Sequence, residues 1–116
     1  MKDDPEEVVV AITTYPLQPF KRGTEYEWIQ SLLDLGVAAC ISTLNVSSAY
    51  LWKGKRENKS EQMFLIKTTR GRIEDLKEAL EEGHPYDTPE LLVFPVIDGL
   101  DTYLDWIRSQ TKTRDS

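Results

Sequence analysis

The sequence predicts a single α+β domain, and three observations support this prediction. The 116 residues suffice for one hydrophobic core and are too few for two. Segments of strand and helix character follow one another in the order strand, helix, strand, strand, helix, strand, helix. The two middle strands are far longer than the usual length of about five or six residues. We therefore expect a long hairpin within a small two-layer domain.

The first strand and the first helix have clear sequence signals. The run VVVAITT at 8–14 is apolar and β-branched almost throughout, which is typical of a strand buried on both faces. Thr24 and Glu27 form a capping-box pattern, which predicts that a helix begins there. Gly36 can adopt the left-handed conformation that closes a helix. The apolar stripe of this helix consists of Trp28, Ile29, Leu32 and Leu33.

A long hairpin is predicted in the middle of the chain. Residues 37–51 form one strand, with a kink expected near Ser47, residues 62–69 form its partner, and Gly54 marks the turn. Such strands should project beyond the helices, and bare apolar arms would favour aggregation. A second subunit is the simplest cover for them. The apolar side chains that we place on the projecting ends are Tyr50, Leu51, Trp52 and Phe64.

A second helix, a short strand and a third helix complete the chain. Thr68 or Thr69 can cap the second helix, which buries Ile73, Leu76 and Leu80 and ends at Gly83. The strand at 91–96 contains Pro95, which has no N–H to donate, so it belongs at a sheet edge or a strand end. The third helix begins at about residue 100. Its stripe consists of Leu100, Tyr103, Leu104 and Ile107.

The order β-α-β-β-α-β is that of the ferredoxin-like sandwich, an antiparallel sheet with helices on one face. Here the sandwich has a long hairpin between its second and third strands and an extra C-terminal helix. We expect one domain over 1–116, with its core at about 8–108 and flexible ends at 1–6 and 110–116.

Composition and charge exclude several functional classes. Twenty acidic residues against fourteen basic ones give a net charge of −6, which repels phosphate backbones, so we expect no nucleic-acid partner. No apolar run approaches the roughly 18 residues that a membrane span needs. The N-terminus is acidic where an export signal would be basic, and the single cysteine, Cys40, suits a reducing compartment. We expect a cytoplasmic protein without membrane insertion.

The chain's only histidine, His84, lies in the segment GHPYDTPE at 83–90. A histidine can bind copper or zinc, but tight sites need three or four ligands, and only Asp87 and Glu90 are close in sequence. One interpretation is a weak copper or zinc site formed by His84 with these two carboxylates. The other is a histidine that is hydrogen-bonded within a turn stiffened by two prolines.

Cys40 lies among small and apolar residues, where a thiol is usually a buried hydrophobic group rather than a nucleophile. A hydrolase using Cys40 and His84 is the enzymatic alternative, but the sequence offers no activating third group. It also contains no phosphate-binding glycine loop, CxxC pair, GxSxG or HExxH motif. We therefore expect no enzymatic activity, no catalytic residue and no obligatory cofactor.

Five segments, in the same order, resemble the CutA family of divalent-cation tolerance proteins. They extend over nearly the whole chain, and together they are highly specific. The segments are AACI at 38–41, YLWKGK at 50–55, LIKTT at 65–69, HPYDTPELL at 84–92 and YLDWI at 103–107.

The resemblance implies a ferredoxin-like subunit that assembles into a homotrimer, with the hairpins extending across subunit boundaries. It also implies a link to tolerance of copper and other divalent ions. Because the family is similar in architecture to PII-type signalling proteins, a trimeric scaffold that binds an unknown small ligand is the alternative. The residues that we assign to an inter-subunit ligand cleft are Lys67, Tyr86, Tyr50 and Trp52.

Copper-binding members of this family have a cysteine at the end of the first strand and two adjacent histidines before the Pro-Tyr pair. In this chain those positions are Ile12 and the pair Gly83 and His84. Only His84 matches the family's ligand pattern. The resemblance therefore implies at most weak metal binding through His84.

Overall fold

The computed structural model describes residues 4–17 and 24–112, except for the side chains of residues 24–26 and 29. The elements follow the predicted order, and a single 3-10 turn at Arg70–Arg72 precedes the second helix. They are β1 (Val8–Pro16), α1 (Thr24–Asp34), β2 (Cys40–Trp52), β3 (Lys55–Thr69), α2 (Ile73–Gly83), β4 (Leu92–Pro95) and α3 (Asp101–Gln110).

The four strands form one antiparallel sheet in the order β2-β3-β1-β4. This is the ferredoxin-like topology that the sequence predicted. The apolar run of β1 is central because β3 and β4 flank it on either side. Pro95 is the last residue of the edge strand β4, where its missing N–H breaks no inner ladder, as predicted.

The core lies between one face of the sheet and helices α1 and α2. Alternate residues of β1 and β3 point to this face, because successive side chains of a strand point to opposite sides. The third helix instead meets the opposite face, where Tyr103 lies beside Cys40. The buried apolar residues of the core include Val9, Ala11, Leu32, Phe64, Ile66, Leu76 and Leu80.

The hairpin pairs without interruption from Cys40 opposite Lys67 to Trp52 opposite Lys55. The expected kink near Ser47 is therefore wrong. Lys53 and Gly54 both have positive φ, 52° and 79°, as a two-residue type I′ turn requires. This turn matches the right-handed twist of the strands, so the ladder can begin at the turn itself.

The strand β3 begins at Lys55, whereas the sequence predicted a start at Gln62. No strand was predicted for its polar first half. This half nevertheless forms a strand, because the backbone of β2 provides its hydrogen-bond partners whatever its side chains are. Polar side chains are tolerated there because both faces of the projecting arm are open. As a result Phe64 lies well inside β3 and is fully buried in the core, so its predicted place on the projecting end is wrong.

The expected N-terminal cap of α2 differs from the structure, whereas the expected C-terminal residue of α1 agrees. Neither Thr68 nor Thr69 caps α2, because the Thr68 hydroxyl donates to the Val37 carbonyl at 2.6 Å and the Thr69 hydroxyl donates to Thr111 at 3.0 Å. Both hydroxyls are buried, so these tertiary partners satisfy them. Gly36 has the predicted positive φ of 71° after α1.

Large apolar side chains remain exposed in the single chain. At the hairpin tip Tyr50, Leu51 and Trp52 are 38%, 70% and 44% exposed. Of the predicted α3 stripe, Ile107 is buried, but Leu100 remains largely exposed. Near the chain ends, the Glu6 carbonyl accepts a hydrogen bond from Arg108 Nε at 3.0 Å. No helix in the described residues is long and apolar enough to cross a membrane.

Candidate functional site

An open cavity of about 610 Å³ lies where the hairpin arm faces the loop after α2. We call it the arm pocket. One wall comes from β2 and β3, whose alternate residues point to the same side because a strand has a period of two. This wall carries Tyr50, Trp52, Glu57, Lys59 and Glu61.

The second wall of the arm pocket is the loop between α2 and β4, residues 84–91. Two prolines fix backbone angles in this loop, as the sequence suggested. Thr14 of β1 also lines the cavity. The loop residues that line the cavity are Pro85, Tyr86, Asp87, Thr88 and Glu90.

His84 anchors the start of this loop to the sheet. Its Nδ1 accepts a hydrogen bond from the Tyr86 backbone N–H at 3.0 Å, so the ring proton of the neutral form lies on Nε2. Nε2 then donates to the Thr14 carbonyl at 2.7 Å. Burial lowers the pKa of His84, against smaller opposing effects of the Thr14 bond and the Glu61 charge. The imidazole is a neutral structural link between β1 and the loop.

Tyr86 joins the loop to the hairpin arm. Its hydroxyl donates a hydrogen bond to Glu61 Oε2 at 2.7 Å, and its ring packs 4.8 Å from the His84 ring. Burial raises the pKa of Tyr86, and the bond to the Glu61 carboxylate raises it further. Glu61 itself is only 4% exposed. The two walls of the arm pocket are thus held together through a buried carboxylate.

The electrostatics of the arm pocket are dominated by carboxylates. Burial raises the pKa of Glu90, and the nearby charge of Glu61 raises it further. The Lys59 ammonium lies 5.3 Å from the centre of the Tyr86 ring, in a cation–π arrangement. Lys59 forms no ion pair within 4.0 Å with any described carboxylate.

The predicted metal ligands do not form a coordination site in the described part of the chain. Asp87 and Glu90 line the arm pocket, but both ring nitrogens of His84 already bond to the backbone. Among the described residues no three or more His, Cys, Asp or Glu side chains are grouped to hold a metal ion. These residues therefore do not fit a bound transition metal within one subunit, where tight sites need three or four ligands.

The predicted cleft residues divide between two places. Tyr86, Tyr50 and Trp52 line the arm pocket. Lys67 lies elsewhere, with its Nζ donating to Ser42 Oγ and 3.9 Å from Cys40 Sγ. It forms no ion pair with any described carboxylate.

Cys40 and His84 are not brought together. Cys40 pairs with Lys67, which pairs with Val10, whereas His84 bonds to Thr14. Val10 and Thr14 lie four residues apart in β1, which corresponds to about 13 Å along the strand. The geometry gives no support to a nucleophilic pair.

Sequence reasoning missed the acidic wall of the arm pocket. Glu57, Lys59 and Glu61 belong to the first half of β3, for which no strand was predicted. Had the strand been extended to the turn, the alternation of these residues would have placed them on one face. The partner of Glu61, however, comes from a distant loop, and no local signal in the sequence identifies it.

A comparison with known protein families finds one match over most of the chain. The model of the CutA1 divalent ion tolerance protein family matches residues 7–110. A divalent-cation tolerance protein CutA of Pectobacterium atrosepticum is 43% identical over 83 residues, which is 71% of this chain and 76% of the relative. A chloroplastic CutA of Arabidopsis thaliana is 31% identical over 111 residues; this match covers 95% of the chain but only 60% of the relative.

Solved structures with the same fold come from several organisms. CutA1 from Oryza sativa superimposes with a TM-score of 0.81 at 28% identity, covering 95% of this chain and 96% of that one. The PII-like protein CutA from Nostoc, in its apo form, gives a TM-score of 0.78 at 29% identity, covering 90% and 97%. The similarity therefore extends over nine-tenths or more of the chain.

Proposed function

Because this chain belongs to the CutA1 family of divalent ion tolerance proteins, we propose that it acts in the cellular response to divalent metal ions as a homotrimer. The family match also confirms the resemblance found in the sequence motifs. The role in metal-ion tolerance is supported by the names of the relatives, and the trimer by the surface of the subunit.

The exposed hairpin tip is the observation that best supports the trimer. Leu51 and Trp52 are 70% and 44% exposed in one subunit, although an isolated soluble protein rarely leaves neighbouring large apolar groups in water. The edge strand β4 adds Phe94, which is 47% exposed, and β2 forms the other open edge of the sheet. Pairing between subunits would cover both the apolar tips and the strand edges.

The metal response proposed here does not depend on a tight ion site within one subunit. We expect copper or zinc to bind weakly at most, through His84 with Asp87 and Glu90, because His84 would first have to give up a backbone hydrogen bond. A stable complex needs more ligands than these residues supply. The protein would therefore act as an assembled scaffold rather than as a store for the ion.

A PII-like ligand-binding scaffold is the second candidate. The arm pocket favours it, because about 610 Å³ is ample for a small molecule and its walls combine aromatic and charged groups. Tyr50, Trp52 and Tyr86 would contact the ligand. Lys67 would belong to a different contact, near Cys40.

We place this protein in the cytoplasm and assign it no catalytic activity. Its single cysteine suits a reducing compartment. The relatives differ in cellular location, since one is named as chloroplastic and a protein of solved structure is named as periplasmic. Fractionation of cells with an antibody against the protein would test the location.

Growth under metal stress tests the proposed role. Cells that lack the gene should grow more slowly than wild-type cells in excess copper or zinc, and the intact gene should restore growth. A gene carrying Trp52→Ala, which we expect to weaken assembly, should restore it less well than one carrying Lys55→Ala on the opposing strand. Equal growth of all strains in every metal would contradict the proposal.

The trimer is tested separately by sedimentation. At micromolar concentration the protein should sediment with three times the mass of the 13.4 kDa chain. A monomer or a dimer under these conditions would contradict the proposed assembly.

A further inference from the structure

The arm pocket has an excess of negative charge that the described residues do not neutralise. Four carboxylates line it against one ammonium group. None of the four forms an ion pair within 4.0 Å with a described lysine or arginine. The carboxylates belong to Glu57, Glu61, Asp87 and Glu90, and the ammonium group belongs to Lys59.

Glu61 is the most informative of these carboxylates. It is 96% buried, and Tyr86 satisfies only its Oε2 atom. Among the described residues nothing donates a hydrogen bond to Oε1, and no cation pairs with the group. Burying an ionised carboxylate is costly unless donors or a positive charge compensate for the lost water. Glu61 lines the pocket, and its Oε1 atom has no hydrogen-bond donor among the described residues.

Aromatic rings surround the same space. Tyr50 and Trp52 lie on the hairpin wall and Tyr86 on the loop wall. Aromatic faces attract ammonium groups, and the position of Lys59 above Tyr86, at 5.3 Å, illustrates this attraction within the pocket. Carboxylates combined with aromatic faces recognise a positively charged organic group, with both its charge and its methylene groups in contact.

The spacing of the carboxylates indicates more than one positive charge in the ligand. Glu57 and Glu61 point to the same side of β3 but lie four residues apart, about 13 Å along the strand. Asp87 and Glu90 face them from the loop. A single small cation would neutralise one end of this wall only, whereas a flexible chain with charged ends could reach both.

We propose that the arm pocket binds an aliphatic di- or polyamine. The ammonium groups would pair with Glu61 and Glu57, and the methylene chain would lie against Trp52 and Tyr50. A phosphate-bearing nucleotide does not suit this pocket, because its charge would be repelled by the same carboxylates. The proposal goes beyond the role in metal tolerance and does not depend on it.

The test is calorimetric titration of the intact protein with spermidine and with 1,4-diaminobutane, at near-physiological salt. We expect saturable binding of spermidine with one site per chain. 1,4-Diaminobutane should bind more weakly, because it carries less charge and its four-carbon chain is too short to reach both Glu57 and Glu61. The matched neutral compound, 1,4-butanediol, should give no binding. Quenching of Trp52 fluorescence, assigned with a Trp52→Phe variant, should accompany saturation.

Two charge-neutralising variants and one control locate the site. Glu61→Gln keeps an oxygen for the Tyr86 hydroxyl, and Glu57→Gln leaves the strand intact; each should weaken spermidine binding about tenfold or more. Glu74→Gln removes the same charge from the exposed face of α2, where Glu74 pairs with Lys77, and should leave the affinity unchanged.

Three results would overturn the proposal. The first is no saturable binding, which is also the result expected if a second copy of the chain fills the arm pocket in the assembly. The second is an equal loss of affinity in Glu74→Gln, which would indicate diffuse attraction to an acidic protein. The third is displacement of spermidine by magnesium at equal charge concentration, which would indicate a general cation surface. None of these results bears on growth under copper or zinc.

Discussion

The Tyr86 hydroxyl donates a 2.7 Å hydrogen bond to Oε2 of Glu61, which is almost completely buried. This bond links a loop that follows α2 to a strand 25 positions earlier in the chain. Because Glu61 has no other hydrogen-bond donor among the described residues, the bond is central both to the stability of the loop and to the shape of the arm pocket.

Removing this donor should destabilise the subunit. In Tyr86→Phe the buried carboxylate of Glu61 loses its hydrogen bond, and we expect the free energy of unfolding to fall by about 1 to 3 kcal/mol. Urea denaturation at fixed protein concentration measures this, since assembly makes stability depend on concentration. Tyr50→Phe removes a hydroxyl that is partly exposed and should change stability little. Equal losses in both variants would contradict a special role for the Tyr86 bond.

Copper and zinc should bind weakly. Both nitrogens of His84 are engaged by Thr14 and Tyr86, so a metal must compete with existing hydrogen bonds. Calorimetric titration of Cu(II) and Zn(II) should give dissociation constants weaker than about 10 μM, and only a small difference between wild type and His84→Ala. Submicromolar binding that disappears in His84→Ala would instead establish His84 as a metal ligand.

Stability should fall on mild acidification. Burial lowers the pKa of folded His84 below its ordinary 6.5, so the unfolded chain takes up the proton first. The contribution of neutral His84 is complete above 6.5 and is lost as the pH falls toward the lower folded pKa. Unfolding between about pH 7.5 and 5.5 should show a larger loss for wild type than for His84→Gln.

The raised pKa of Glu90 works in the opposite direction over its own range, since the folded state then binds the proton more readily. Measuring both proteins also in a Glu90→Gln background separates the two effects. The interpretation of His84 fails if the pH dependence survives unchanged in His84→Gln.

The hairpin tip should be important for assembly. Truncating Trp52 to alanine removes a large ring that we expect to be buried between subunits, at a cost of about 3 to 5 kcal/mol if it is fully buried there. Sedimentation over a dilution series should show Trp52→Ala dissociating at higher concentration than wild type. Lys55→Ala, which changes the residue opposite Trp52 in the ladder, is the control and should behave as wild type.

Much of the fold was determined by local patterns in the sequence. The apolar run of β1, the positive φ expected of Gly36 and the i, i+3, i+7 pattern of Ile73, Leu76 and Leu80 each specify one element by short-range physics. Together with the order of elements, these patterns led to the antiparallel ferredoxin-like sheet. The family motifs then identified the tip aromatics and the loop that contains His84.

Tertiary structure alone decided how the site is assembled. The start of β3 depended on pairing with β2, which polar side chains neither favour nor forbid. Because β3 begins at Lys55 rather than at Gln62, Phe64 lies in the core and Glu61 lies in the arm pocket. The partners of His84 are Thr14, which is 70 residues away, and Tyr86, which lies beyond a proline. A sequence can show that an imidazole or a carboxylate is present, but its hydrogen bonds and its charge state depend on which distant groups the folded chain brings to it.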